Sequence, residues 1–587
     1  MLIEDSVKEK FARWINNDCF DCATKDELLA LDDPSEIEDR FYTDLEFGTG
    51  GMRGIIGAGT NRMNKYVIRR LTQGLADTIK DHGEEACAKG VVIAHDPRRY
   101  SKEFALETAL VLAANGIKAY LFDSLRPVPE LSFAVRYLHT MAGVNITASH
   151  NPKEYNGYKV YWEDGGQIPP NKANIIVSKM SARESWEVEI SSETEARSNG
   201  FLVTIGEDID KAYLEQVKAQ LLYPELVADK GKMLKIVYSP LHGSGGMLIS
   251  RILKDTGFSS LFVVPEQKDP DTEFATVKSP NPEDPAAFEL ALTHAVQQNA
   301  DIVMASDPDA DRLGLYVKGD EGYYHRFNGN QIGVLLQYYI LSQRKKRGNL
   351  PDNAVVVKTV ASTDLGDAVA EKFGVKTVNV LVGFKYIGEQ IRDMEEKGWG
   401  TYQFGFEESF GYLAGTHARD KDAVVAAALL AEAALYYRQE ENKNLTDVLD
   451  EIHKMCGYYR DEQVALTYQG KAGKECIANI MNTLRKDKKI EIAGIPLKSR
   501  EDYYISRRQL IRENREEEID LPKANVLRFS FAEGGFVMAR PSGTEPKIRF
   551  YFCVKDDSPQ ALLETMKRVK EDFMGRIKEF LTIPYEQ

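Results

Sequence analysis

The chain has little of what several protein classes need. Six cysteines in 587 residues are too few for a disulfide framework. No stretch reaches the roughly 18 uninterrupted apolar residues of a membrane-spanning helix. The opening residues, MLIEDSVKEKFARW, are polar and charged, without the apolar centre of a secretory signal. Positive charge is in deficit. Lys+Arg number 75 against Asp+Glu 90, a formal net charge of −15. Such a field repels nucleic-acid backbones. These absences predict a cytoplasmic protein that engages neither nucleic acid nor membrane. One C-x-x-C, Cys19 to Cys22, has no second pair for zinc and follows no strand, so it reads as coincidence.

What is present describes an ordinary globular chain, 43% hydrophobic and 28% charged. At about 100–200 residues per domain, the length implies roughly three to five domains. One pattern occurs three times: VVIAHDPRRYSKEFALETALVLAANGIKAYLFD, LKIVYSPLHGSGGMLISRILKDTGFSSLFVV and AVVVKTVASTDLGDAVAEKFGVKTVNVLV. Each reads as strand, polar loop, helix, glycine, strand. Gly116, Gly257 and Gly374 fall where a helix end favours a residue tolerating positive φ. Each unit predicts a βαβ crossover, and three of them predict three similar α/β domains. After about residue 455 the character changes. FAEGGFVMARPSGTEPKIRFYFCV predicts two strands around a Pro/Gly-rich loop, and SPQALLETMKRVKEDFMGRIKEFL an amphipathic helix packed on a core. This is a smaller C-terminal α+β domain. The predicted divisions are 1–205, 206–325, 326–455 and 456–587.

Four loops carry chemistry. In TASHNP, Ser149 follows the apolar run MAGVNI and precedes Pro152, which ends the strand. Ligands in α/β sheets bind at such strand ends. No G-x-S-x-G surrounds it, and taken alone it reads first as a turn serine. In ASDPDADRLG, Asp307, Asp309 and Asp311 alternate. Carboxylates this close repel unless a cation joins them. Hard oxygen donors suit Mg²⁺ or Ca²⁺, and the strand-like flanks, without an EF-hand's glycine and distal glutamate, favour Mg²⁺. In QFGFEESFG, Glu407, Glu408 and Ser409 lie between glycines and aromatics; they suit vicinal sugar hydroxyls, although alone they read equally as a turn. In ARPSGTEPKIRF, Arg540, Ser542, Gly543, Thr544 and Arg549 have the composition of a phosphate cradle. Two smaller clusters place Arg53 in FGTGGMRG and Asp96 with Arg98 in AHDPRRYS. A hydroxyl nucleophile, a metal loop, a sugar loop and a phosphate cradle are together the inventory of phosphoryl transfer on a phosphosugar.

TASHNP, DPDADR, EESFG and RPSGTEPKIR, in this order, resemble the α-D-phosphohexomutases over nearly the whole chain. The resemblance implies an α/β fold: three similar α/β domains with mixed sheets and a different fourth around a central active-site cleft. It implies that Ser149 carries a phosphoryl group. Mg²⁺ would be held by Asp307, Asp309, Asp311 and an oxygen of the Ser149 phosphate. Arg53, His150 and Lys159 would surround the transferred group. Glu407 and Ser409 would grip sugar hydroxyls, with Arg312, Lys385, His417 and Lys421 as further substrate contacts. Arg540, Ser542, Gly543, Thr544 and Arg549 would hold the non-reacting phosphate. The expected reaction interconverts glucose 1-phosphate and glucose 6-phosphate, primed by glucose 1,6-bisphosphate, in a monomer or dimer. FGTGGMRG and SHNPKEYNGYKVYW also resemble the branch holding phosphopentomutases, so a pentose phosphate, or a mannose phosphate, is the alternative. Gly50 stands where that motif usually has serine, so no phosphate contact is expected of it. A sugar-phosphate-binding relative without turnover is the lesser reading, against which the intact Ser149, aspartate set and cradle weigh.

Overall fold

A computed structural model describes residues 4–48, 51–319, 321–468, 470–542, 547–582 and 585. The chain forms two compact units. The first comprises Met1–Phe327, Gly388–Glu396 and Phe410–Glu441; the second comprises Asn328–Ile387, Lys397–Ser409 and Asn442–Gln587.

The first unit contains two mixed sheets. One is built from β1 (Phe47–Gly48), β2 (Gly51–Ile55), β3 (Val91–His95), β4 (Ala119–Phe122), β5 (Ala142–Ile146), β6 (Tyr155–Trp162) and β7 (Leu202–Ile205), in the order β1-β2-β6-β5-β3-β4-β7. β3 runs parallel to β4 and β5, whereas β6 runs antiparallel to both β5 and β2. All five residues of β3 and of β5 are buried, as expected for strands covered on both faces. The register sets Asn145 opposite Lys159 and Gly157 opposite Arg53. Lys159 and Arg53 therefore arise on neighbouring strands beside the end of β5, where the Ser149 loop begins.

The second sheet has β8 (Ile236–Ser239), β9 (Leu261–Val263), β10 (Ile302–Ser306), β11 (Leu313–Lys318) and β12 (Tyr324–Phe327), ordered β12-β11-β10-β8-β9. β8 is parallel to β9 and β10; β11 is antiparallel to β10. The pair Ser306–Leu313 closes this hairpin and confines Asp307–Arg312 to one tight loop.

In the second unit, β13 (Ala354–Thr359) pairs in parallel with β14 (Lys376–Val380) and β15 (Thr401–Glu407). The three repeats of the sequence are thus three parallel crossovers: β3 to β4, β8 to β9 and β13 to β14. Their helices are Ser101–Ala114, Gly245–Thr256 and Leu365–Phe373. Gly116, Gly257 and Gly374 follow them at φ of 71°, 126° and 71°, which a side chain would resist.

β16 (Gly411–Ala414) and the helix Ala423–Tyr436 belong to the first unit. There Gly411 bridges to Arg312, and the helix packs on Gly245–Thr256. The C-terminal sheet lies in the second unit. Its strands are β17 (Tyr458–Thr467), β18 (Glu491–Ile492), β19 (Ile495–Asp502), β20 (Arg507–Leu510), β21 (Arg515–Glu518), β22 (Leu527–Phe531), β23 (Gly535–Pro541) and β24 (Lys547–Asp556). The order is β17-β24-β23-β22-β19-β20-β21, with β18 on β19. The predicted last helix is Pro559–Gly575, capped by Ser558, and its Leu562, Met566, Val569 and Phe573 are buried in the core. Among the described residues, no helix is long and apolar enough to cross a membrane.

Candidate active site

Ser149 is buried, with φ of 56°, a left-handed conformation that is uncommon outside glycine, asparagine and aspartate. Its backbone N–H donates to Thr147 Oγ1 at 2.8 Å. Its Oγ donates to Asp307 Oδ2 at 3.1 Å and lies 3.3 Å from His150 Nδ1. Ser279 Oγ in turn donates to the His150 carbonyl at 3.3 Å. Arg53 Nη1 donates to Asn151 Oδ1 at 3.2 Å. The serine and the aspartate loop, 158 residues apart in sequence, are therefore in contact.

The three aspartates of the loop are buried. Asp307 Oδ1 accepts the backbone N–H groups of Asp311 and Arg312 at 3.1 and 3.0 Å, which fixes the turn. Lys159 Nζ donates to Asp309 Oδ2 at 2.7 Å and to Asp311 Oδ2 at 3.3 Å. Lys421 Nζ lies 3.0 Å from Asp311 Oδ2. Burial opposes charge on Lys159, but Asp309 and Asp311 outweigh it and hold its pKa above the ordinary value. Asp311 is likewise penalised by burial, yet Lys421, Lys159 and Arg312 hold its carboxyl well below the usual range. Asp307 goes the other way. Burial first, then the charges of Asp309 and Asp311, push it well above that range.

The site fits a divalent cation. The three carboxylates each offer an oxygen within 4.8 Å of the others. Asp309 Oδ1 and Asp311 Oδ1 are buried and accept no hydrogen bond. Buried carboxylate oxygens are costly unless something pairs with them, and an all-oxygen donor set suits a hard ion.

Several neighbours were not legible as partners. Asp420 holds Lys421 through its Oδ1 at 3.2 Å and accepts the Tyr161 hydroxyl at 2.9 Å. Nothing in the local sequence of either residue marks that meeting. The Arg312 guanidinium pairs with Glu283. His417 is buried, with Nε2 2.8 Å from Asp422 Oδ2 and its ring against Tyr213. Asp422 also caps the helix Ala423–Tyr436, so His417 sits in the support of that helix. The leader cysteines are unpaired, and Asp21 between them caps the helix Cys22–Leu29.

The second unit holds the remaining expected residues. Glu407 ends β15 and is buried; Ser409 Oγ donates to its Oε1 at 3.0 Å. Glu408 accepts from Thr359 Oγ1 at 3.0 Å. Lys385 is buried at the start of the helix Phe384–Lys397, with Nζ 5.4 Å from the Tyr386 ring centre. Arg540 and Arg549 are register partners across β23 and β24. Ser542 N–H donates to the Lys547 carbonyl at 2.7 Å. Gly543 and Thr544, like Gly50, lie outside the described residues. One buried side chain reports on both loops. Burial pushes the Tyr551 hydroxyl up and Glu408 adds to this, while Arg540 and Arg549 oppose it.

Comparison with known proteins accords with this geometry. Sequence models of the phosphoglucomutase/phosphomannomutase α/β/α domains I, II and III match residues 44–186, 211–321 and 328–455. A phosphoglucomutase from Staphylococcus haemolyticus is 38% identical over 525 residues, covering 89% of this chain and 92% of the relative. One from Staphylococcus aureus is 37% identical over 528 residues, with 89% and 92% covered. In fold, the chain is similar to parafusin, a phosphoglucomutase of Paramecium, in its open form. The TM-score is 0.66 at 16% identity, covering 92% of this chain and 96% of that one. A phosphoglucomutase/phosphomannomutase family protein of Burkholderia thailandensis gives 0.65 at 19% identity, with 91% and 97% covered. The chain belongs to the phosphoglucomutase/phosphomannomutase family, within the α-D-phosphohexomutase superfamily.

Proposed function

We propose that this chain is a phosphoglucomutase that interconverts α-D-glucose 1-phosphate and glucose 6-phosphate through phospho-Ser149 and glucose 1,6-bisphosphate. One observation carries the reading: Ser149 Oγ lies 3.1 Å from Asp307 in a buried three-carboxylate site. The relatives named phosphoglucomutase, at 36–38% identity, support the choice of sugar.

Asp307, Asp309 and Asp311 would hold Mg²⁺ in this reading, beside the phosphate carried by Ser149. Bound there, the cation would draw charge from that phosphate. Lys159 adds a fixed positive charge beside the transferred group, and Arg53, tied to Asn151, adds another. In the first transfer, the P–O bond to Ser149 Oγ breaks and one forms to the free sugar hydroxyl. The sugar loses a proton and Ser149 Oγ gains one. His150 Nδ1, 3.3 Å from that oxygen, is placed to pass it. The bisphosphate then turns over, and its other phosphate returns to Ser149. Glu407 and Ser409 grip ring hydroxyls. Arg312, Lys385 and Lys421 are further sugar contacts in this reading, and Arg540, Ser542, Gly543, Thr544 and Arg549 bind the distant phosphate. His417, enclosed by Asp422 and Tyr213, supports the segment carrying Lys421 without touching the sugar. We place the activity in a reducing cytoplasm, which suits six unpaired cysteines.

The test measures kcat/KM for glucose 1-phosphate, mannose 1-phosphate and ribose 1-phosphate, with Mg²⁺ and the bisphosphate primer. Glucose 1-phosphate is expected to lead. A ribose preference would make the protein a phosphopentomutase with the mechanism intact. Ser149→Ala should abolish turnover and labelling by radioactive glucose 1,6-bisphosphate; normal turnover without label would refute the phosphoserine.

A further inference from the structure

Asp96 and Arg98, just after β3, have no part in that chemistry. Both side chains are fully buried as an ion pair, Arg98 Nε to Asp96 Oδ2 at 3.0 Å. The rest of the guanidinium points into the Ser149 loop. Nη2 donates to the carbonyls of Ser149 and Asn151 at 2.6 and 2.5 Å. Nη1 donates to those of Pro152 and Tyr155 at 2.8 and 3.1 Å. All five N–H donors of an arginine are thereby used, three of them on the loop and one on Tyr155 where β6 begins. Phe274 covers the guanidinium, 5.1 Å from its ring centre.

Asp96 reaches the same loop from the other side. Its Oδ2 accepts from Thr147 Oγ1 at 2.7 Å, and Thr147 Oγ1 accepts the Ser149 N–H. Its Oδ1 accepts from Ser101 Oγ and from the Arg98 backbone N–H. The serine between these two grips has φ of 56°. A left-handed residue other than glycine costs about 1–2 kcal/mol and persists where its surroundings over-determine it.

We propose that Arg98, oriented by Asp96, is the positioning residue of the nucleophile: its guanidinium clamps the Ser149 loop in the strained conformation that presents Oγ to Asp307. The inference rests on the phosphoserine reading above. It follows from geometry that a lysine cannot imitate, because an ammonium has three donors and no planar fork. The clamp contributes to transfer, not to sugar binding, since Arg98 is enclosed by its own loop. Phosphoryl transfer depends on alignment, and a displacement of about 1 Å costs on the order of 100-fold in rate.

The experiment compares the full-length wild type, Arg98→Lys and Asp96→Asn, each checked for folding by circular dichroism and each primed with labelled glucose 1,6-bisphosphate and Mg²⁺. Arg98→Lys should lose about 100-fold in kcat for glucose 1-phosphate, with KM within about threefold. Asp96→Asn should lose about tenfold with the same split, the effect of roughly one good hydrogen bond. The phosphorus NMR resonance of phospho-Ser149 should move toward that of free phosphoserine in both, which a role confined to stability would not produce. A folded Arg98→Lys with kcat within about threefold of wild type, or with its loss in KM, overturns the proposal. If Arg98→Lys does not fold, Asp96→Asn decides on the same measurements, and a normal kcat overturns it. A labelled wild type beside unaffected variants refutes the clamp alone. An unlabelled wild type refutes the phosphoserine, and the clamp with it.

Discussion

Replacing Lys159 by methionine keeps the buried stem and removes the ammonium. Nζ lies 2.7 Å from Asp309 Oδ2 and 3.3 Å from Asp311 Oδ2, so both carboxylates lose a partner. Removing one member of a buried ion pair costs about 3–5 kcal/mol. Asp311 keeps Lys421 at 3.0 Å, whereas Asp309 loses its ion pair with Lys159, so the lower figure, about 3 kcal/mol, applies. At about 1.36 kcal/mol per decade, amides of β10 and β11 should exchange roughly 150-fold faster in EDTA, read by hydrogen exchange and mass spectrometry. Mg²⁺ should then narrow the difference. In the wild type the ammonium, held against Asp309 Oδ2 and Asp311 Oδ2, repels a cation on the neighbouring Oδ1 oxygens; in Lys159→Met that repulsion is gone. Each tenfold gain in Mg²⁺ affinity returns about 1.4 kcal/mol to the variant. Turnover should stay low, because the cation does not replace the charge beside the transferred group. A variant as protected as the wild type in EDTA would refute the charge balance. A gap unchanged by Mg²⁺ would refute competition between ammonium and cation for the aspartates.

Two further predictions concern structure near the loops. Asp461 faces Cys553 across β17 and β24, and burial pushes its carboxyl up to about 7. Its stabilising effect is therefore full below its unfolded pKa of about 3.9 and is lost as pH rises through about 7. Guanidinium unfolding should show the second unit weakening across that window in the wild type and not in Asp461→Asn; parallel pH profiles would contradict this. Gly157→Ala would place a methyl 2.6 Å from the Thr147 carbonyl oxygen and 2.7 Å from that of Met52. Overpacking of this kind costs about 1–3 kcal/mol, and here it pushes on the Ser149 loop. A lower melting temperature together with reduced kcat is expected; a normal kcat would show that the loop is insensitive to β6.

Much of this is legible in the amino-acid sequence. The three crossovers were visible because buried parallel strands are continuous apolar runs, and because a helix end that needs positive φ selects glycine, as at Gly116, Gly257 and Gly374. The aspartate loop was visible because charge repulsion is local, and Asp307, Asp309 and Asp311 share one short segment. Lys159 was expected beside the transferred group, but its pairing with Asp309 and Asp311 was not, since strand register and sheet order set that meeting. Residues 388–396 and 410–441 pack with the first unit while their neighbours pack with the second. Periodicity marks an element as buried without naming what buries it.

The amino-acid sequence by itself determined the kinds of element, their parallel crossovers and the chemistry of each loop, because these depend on residues close together in the chain. Only the tertiary structure decided which loops meet. It brought Ser149 to Asp307, put two lysines against the aspartates, and closed Arg98 on three carbonyls of the nucleophile's loop. Contacts across tens to hundreds of residues follow from how sheets stack and helices cover them, and no local pattern of side chains records that.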